Sequence, residues 1–205
     1  MHALIFDTES TGLIRSALYS DDNNPHLASI AAIMYDTESN RIISSINTAI
    51  YPAGWIMPPD AEAVNGLTTQ YLRDTGVSVQ LVMPLFLSLI DRVNLIIGHN
   101  VEFDIKIMST ALWRYLVANH NEDIAREIIE KHWLTKPTFC TMKESKNKVQ
   151  ALNKNGKLKY PKLTEAYKHF FGKDLDRAHS ANADAVATLE IYLALTEKIY
   201  SELTK

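Results

Sequence analysis

The stretch Ala3–Leu13, reading ALIFDTESTGL, decides the fold. Ala3-Leu4-Ile5-Phe6 is a short apolar run suited to a central strand buried on both faces. Asp7 and Glu9 follow two residues apart, so on an extended chain their side chains leave the same face. Two carboxylates at the end of a buried strand repel each other and are costly to desolvate unless a positive charge sits between them. An isolated Asp-x-Glu most often lies in a solvated loop. What gives this one weight is the rest of the chain.

Outward from that strand, Leu27–Tyr35 and Arg41–Tyr51 read as two more strands, with the polar stretch 36–40 between them favouring a hairpin. From Pro59 the pattern turns helical, over Ala61–Asn65, Thr69–Asp74 and Val79–Ile90. Leu95-Ile96-Ile97 is another strand, followed by a helix from Val101 to about Val117 and one near Glu122–His132. Pro137 marks a break, Leu163–Phe171 reads as a helix ended by Gly172, and a last helix begins near Ala183. Strands first, then strands alternating with helices, give an α/β fold, a mixed β-sheet flanked by α-helices. With 205 residues, no internal repeat and no flexible linker, a single domain over 1–205 is expected.

Two further segments carry polar residues of the same chemical kind. In GHNVEFDI, Asn100 is placed to cap a helix whose Phe103, Ile107 and Ala111 face inward, leaving Asp104 on the neighbouring face near the sheet's end. In HSANADAVATLEIY, Asn182 is a plausible cap, Asp184 sits in the first turn, and Val186, Leu189 and Leu193 pack below it. His179 precedes that helix. Taken alone, an Asp in a first helical turn is common and a lone His is usually a surface residue.

Composition bounds the rest. Apolar residues make up 46% and charged residues 22%, ordinary globular values. The single cysteine, Cys140, excludes a disulfide framework and a cysteine-built zinc site. The N-terminus has no charged leader, and no apolar run approaches the roughly 20 residues needed to span a bilayer. A soluble, cytoplasmic protein with no membrane partner is expected. Net charge is −3, yet seven lysines between Lys143 and Lys162 face only Glu144, so that window carries +6 against −9 elsewhere. It reads as a mobile polar loop, either a solvated surface or an arm that follows a phosphate backbone.

Together the segments FDTESTGL, HNVEFD and HSANAD resemble the three motifs of the DnaQ-like, or DEDDh, 3′–5′ exonuclease family. PPDAEAVNGLT resembles the family's segment between the first two motifs. FCTMK and PKLTEAYKHFFG are similar to the bacterial branch that contains the polymerase III epsilon subunit and exonuclease X. The resemblance covers most of residues 1–197. It implies an RNase H-like fold and a two-metal mechanism with Mg²⁺, for which Mn²⁺ would substitute. It also implies that Asp7 bridges both ions, that Glu9 and Asp184 hold the nucleophile-side ion, that Asp104 supports the other, and that His179 is the general base. Ser10, Thr11 and Leu13 would line the site of the terminal nucleotide, with Phe103 and Ala61 walling the pocket. Asn65 stands where the family often has His, and Ser10 where it often has Thr.

The implied partner is nucleic acid, DNA first, with the product a nucleoside 5′-monophosphate. RNA remains open, because these motifs do not settle how the pocket treats a 2′-hydroxyl. The absence of an extra segment after the last helix leads us to expect a stand-alone enzyme over a polymerase-bound subunit. A catalytically silent nucleic-acid-binding module is the reading from another class.

Overall fold

Strand β1 (His2–Ser10) lies at the centre of the sheet, and Ala3, Leu4, Ile5 and Phe6 have no exposed surface. A computed structural model describes residues 1–176 and 180–196 of the chain. Along one side β1 pairs antiparallel with β2 (Leu27–Asp36), which turns back at residues 37–40 into β3 (Arg41–Ala49). Along its other side β1 pairs in parallel with β4 (Leu95–Gly98), and β5 (Thr138–Cys140) continues the sheet beyond it. The order is β3-β2-β1-β4-β5, the mixed sheet that the sequence leads one to expect.

Strand alternation divides β1 between two cores. Leu4 and Phe6 face α3 (Val79–Ile90) and α4 (Val101–Asn119), where the Phe6 and Phe86 rings pack edge-on against Trp133. Ala3 and Ile5 face α8 (Ala181–Leu195), against Ala181, Ala185, Leu189 and Tyr192. The alanines let that helix lie close to the strand. Removing a ring such as Phe6 from such a core costs roughly 3–5 kcal/mol.

The register of β4 positions the site. β4 pairs only with Ala3–Ile5, and the chain then turns away. Asp7–Ser10 therefore run past the end of β4, paired with β2 on one side only. The turn is tight: a Cβ on Gly98 would come within 2.9 Å of the Val101 side chain, so only glycine fits there.

The remaining helices fill the two ends. α1 (Pro59–Asn65) and α2 (Thr69–Thr75) follow β3, and Ala61 and Leu72 form a small core with Ala28 and Met57. α5 (Glu122–Glu127) runs directly into a π-helical turn, Ile128–Trp133, where one long helix is expected. α6 (Thr141–Val149) and α7 (Leu163–Phe171) flank α8, and Gly172 ends α7 in a left-handed conformation.

Three local expectations are overturned. Asn100 makes no side-chain cap; it adopts left-handed backbone, φ 73°, which the sharp entry into α4 requires. α8 begins at Ala181, so Ser180 rather than Asn182 occupies the cap position, and Val186 points outward. The lysine-rich segment is not a loop throughout, since residues 143–149 lie in α6. Among the described residues no helix is long and apolar enough to cross a membrane.

Candidate active site

Asp7 and Glu9 leave β1 on the side of α8, continuing the alternation of Ala3 and Ile5. Asp184 meets them from the first turn of α8, where its carboxylate benefits from the positive end of the helix dipole. One carboxylate oxygen from each of Asp7, Glu9 and Asp184 can be chosen so that all three lie within 4.8 Å of one another. Nothing in the sequence separation announces this. Three residues spread over 177 positions converge because α8, packed along Ala3 and Ile5, brings its first turn to the end of β1 that outruns β4.

Asp104 arrives from the opposite layer. It lies on the buried face of α4, with 3% of its surface exposed, and Phe103 is the one turned partly outward; the sequence suggests the reverse. Its Oδ1 accepts the Thr8 backbone N–H at 3.0 Å and the Thr8 hydroxyl at 2.7 Å. That N–H points to the edge of β1 that β4 leaves open. Asp104 thus supplies the acceptor that a longer β4 would have given, and it is drawn to the same strand end as the other carboxylates.

The electrostatics follow from crowding. Burial, then the charges of Asp104, Asp184 and Glu9, hold Asp7 well above the ordinary carboxylate range. Burial, with Asp184 and Asp104 beside it, pushes Glu9 up to about 8. Asp104 rises to about 7, because burial outweighs the two Thr8 bonds that favour its ionised form. Clustered, partly buried oxygen donors that hold protons so firmly suit a hard divalent cation, which reverses their mutual repulsion. The donor set fits such a metal.

Beyond the carboxylates the strand ends in a bulge between Glu9 and Ser10. The Ser10 hydroxyl donates to the Gly12 carbonyl, and its own carbonyl accepts from Asn65 Nδ2 at 3.2 Å. Asn65 therefore ties α1 to the end of β1, a role that its departure from the resembled motif does not suggest. Thr11 exchanges two bonds with His26: its N–H donates to the His26 carbonyl, and its hydroxyl accepts the His26 N–H. Leu13 stands out into solvent, 79% exposed. Ala61 is buried with Ala28, Met57 and Leu72, and Phe103 is half-buried against the main core. His179 lies outside the described residues.

Sequence reasoning passes over three supporting groups. Thr8 is hidden between two acids, and only the partnering of Asp104 reveals its use. Arg114, on α4, donates to the carbonyls of Asp22, Asn24 and Pro25 and so shapes the loop that brings His26 to Thr11. His99 bridges the Thr141 hydroxyl, at 3.0 Å, and the Pro161 carbonyl, at 3.1 Å. A carbonyl only accepts, so Nε2 carries the proton; burial pushes this imidazole down to about 4 and keeps it neutral. A lone His or Arg in a helical stretch gives no signal of such partners.

Comparison with known proteins agrees with this arrangement. The exonuclease family model RNase_T matches residues 4–192. The chain is 24% identical to the DNA polymerase III subunit epsilon of Aquifex aeolicus over 197 residues, covering 96% of this chain and 81% of that subunit. Among solved structures, E. coli exonuclease I in complex with a dT13 oligonucleotide superposes with a TM-score of 0.71 at 20% identity, covering 99% of this chain. The zinc-bound form of an exonuclease I complex with single-stranded DNA gives 0.70, again at 20% identity and over 96% of this chain. The chain spans about two fifths of the length of exonuclease I, 43% and 40% in these two structures. The sheet and its flanking helices are therefore the RNase H-like exonuclease fold.

Proposed function

The chain belongs to the RNase T exonuclease family, among the DnaQ-like 3′–5′ exonucleases, and from that membership we propose that it hydrolyses DNA from the 3′ end, single strands preferred, by a two-metal mechanism. The observation that carries this reading is the convergence of Asp7, Glu9 and Asp184, with Asp104 fixed beside them by Thr8.

In this reading Asp7, Glu9 and Asp184 would hold one Mg²⁺, and Asp104 would help Asp7 to hold a second, with Mn²⁺ as a substitute. When bound, such ions polarise an attacking water and neutralise charge on the scissile phosphate and leaving oxygen. The protein's own part is to orient and to move a proton. Thr8 fixes the Asp104 carboxylate by two donors to one oxygen, so that its other oxygen is directed by the backbone rather than by a free side chain. His179 is assigned as the general base, since an imidazole titrates near neutrality and can pass a proton to solvent. Water attacks phosphorus, the P–O3′ bond breaks, and the departing 3′-oxygen takes up a proton. A nucleoside 5′-monophosphate and a shortened strand result.

Ser10, Thr11 and Leu13 are assigned to the terminal nucleotide, with Ala61, Asn65 and Phe103 shaping the pocket around it. The bonds between Thr11 and His26 hold that segment in place, which supports a preformed pocket. The lysines between Lys143 and Lys162 are assigned to the phosphates of the substrate.

The test is product analysis on 5′-labelled single-stranded DNA and matched RNA, with Mg²⁺, with Mn²⁺ and with chelator. A metal-dependent ladder shortening from the 3′ end supports the reading, and the DNA-to-RNA rate ratio sets the substrate. Cleavage that persists in chelator, or that begins internally, would sink it.

A further inference from the structure

Both ends of the lysine-rich segment are fastened to the turn that carries the site. At one end Lys143 pairs with Glu102, two residues before Asp104 in the first turn of α4. At the other, the Pro161 carbonyl accepts from His99, the residue after β4. Between α6 and Pro161 the chain folds into a small hairpin. Leu152 and Leu158 oppose each other as a bridge, Asn153 N–H donates to the Lys157 carbonyl, and the Asn153 side chain accepts from the N–H groups of Asn155 and Lys157. Gly156, at φ 72°, makes the turn.

What this hairpin displays is unusual for a solvated turn. Leu152 and Leu158 are both exposed, and Tyr160 is 48% exposed with the Lys146 ammonium 4.6 Å from its ring centre. Lys148, Lys154 and Lys157 are exposed, and among the described residues none of them forms an ion pair, while Lys162 lies within Coulomb reach of Glu165. The charges of Lys143 and Lys159 are by contrast already opposed by Glu102 and Glu165. Apolar and aromatic side chains held in water within a group of uncompensated lysines match one ligand chemistry. Phosphates need the ammonium groups, and unstacked bases need a flat apolar surface; a duplex hides its base faces and could use only the charges.

We propose that residues 150–162, with Lys146, form a platform on which a single strand lies upstream of the 3′ end that enters the carboxylate cluster, bases against Tyr160 and the leucine pair and phosphates along the lysines. This rests on the exonuclease reading above. It deepens it by making single-strand preference and substrate length properties of the hairpin rather than of the catalytic pocket.

The test separates the two. The p-nitrophenyl ester of thymidine 5′-monophosphate occupies only the carboxylate site, whereas a 20-nucleotide single strand reaches the hairpin. Tyr160→Ala combined with Leu158→Ser is expected to raise KM for the 20-mer about tenfold, to leave hydrolysis of the ester unchanged, and to leave Tm unchanged. Tyr160→Phe, which keeps the ring, should behave as the wild type. An unaltered KM for the 20-mer, an equal loss on both substrates, or an equal loss on a duplex 3′ end would overturn the platform. If the wild type cleaves neither substrate, the exonuclease reading fails. Fluorescence anisotropy of the labelled 20-mer on the same variants then still reads the platform, which is refuted if their affinities are equal.

Discussion

Thr8 gives both its backbone N–H and its hydroxyl to one oxygen of Asp104, across the strand edge that β4 leaves uncovered. The two donors belong to opposite requirements. The N–H is an orphan of the sheet and needs an acceptor, while the carboxylate is buried and needs donors. Each offsets part of the other's desolvation cost, and the result fixes an acid between two layers of the fold.

Thr8→Val removes the hydroxyl but keeps the β-branched shape that suits the strand. Asp104 then keeps the backbone donor alone, and a stability loss of about 1–3 kcal/mol is expected. Turnover on single-stranded DNA should fall, with most of the change in kcat. Thr8→Ser should restore both. Equal behaviour of the valine and serine variants would show that the hydroxyl has no part in placing Asp104.

Asp7→Asn removes one charge from the crowded cluster while keeping its shape. Because burial and neighbouring carboxylates oppose ionisation there, the metal-free protein should melt at the same temperature as the wild type or higher. Metal-dependent nuclease activity should vanish, and Mg²⁺ should no longer raise Tm. A variant that unfolds, or one still stabilised by Mg²⁺ as the wild type is, contradicts a ligand role.

In chelator, stability should depend on pH with a definite sign. Glu9 holds its proton to about 8 in the folded protein against an ordinary 4.5, and Asp104 holds its own to about 7. Over that window the folded state binds more protons than the unfolded state, so stability falls as pH rises. Saturating Mg²⁺ should flatten the slope, because the cation replaces the protons. Tm recorded from pH 4.5 to 8.5, with and without Mg²⁺, checks this. A metal-free Tm that rises across the window would mean that the carboxylates are not held in mutual repulsion.

His179→Ala should slow hydrolysis by roughly a hundredfold or more while leaving the Mg²⁺-induced rise in Tm intact, as expected of a proton acceptor that is not a ligand. The slope of log kcat against pH below neutrality should flatten with it. Activity within a few-fold of the wild type removes His179 from that role.

Much of the architecture is legible in the chain because its signals are local. Ala3–Phe6 is apolar without interruption and becomes the doubly covered strand; Val79–Ile90 carries a helical period and is α3 to the residue. Leu163–Phe171 ends at Gly172, as a glycine free to take left-handed backbone requires. The caps were less legible. Asn100 and Asn182 both have the side chain of a cap, but Asn100 is needed for its backbone conformation and Asn182 lies inside α8.

The face of a helix is harder still to read when a polar residue is buried. Phe103 and Asp104 exchange the places that hydrophobicity assigns them, because Asp104 has two donors waiting on β1. A hydrophobic period prices Asp as exposed and has no entry for a partner 96 residues away. The lysine-rich window misleads in the same manner. Its charge is plain, but Lys143 is paired with Glu102, which only the fold brings near, and Lys159 with Glu165 from the following helix, while the apolar residues that matter there are dispersed among polar neighbours.

By itself, then, the sequence determined most of the strands and helices, though not β5 or α6, and which carboxylates share a chemistry, since both depend on spacing along the chain. The tertiary structure alone decided that Asp7, Glu9 and Asp184 lie within 4.8 Å, that Thr8 anchors Asp104, and that the basic hairpin is tied beside them. Those facts depend on where β4 stops and α8 crosses, and distance through space, not along the chain, sets a Coulomb energy or a hydrogen bond.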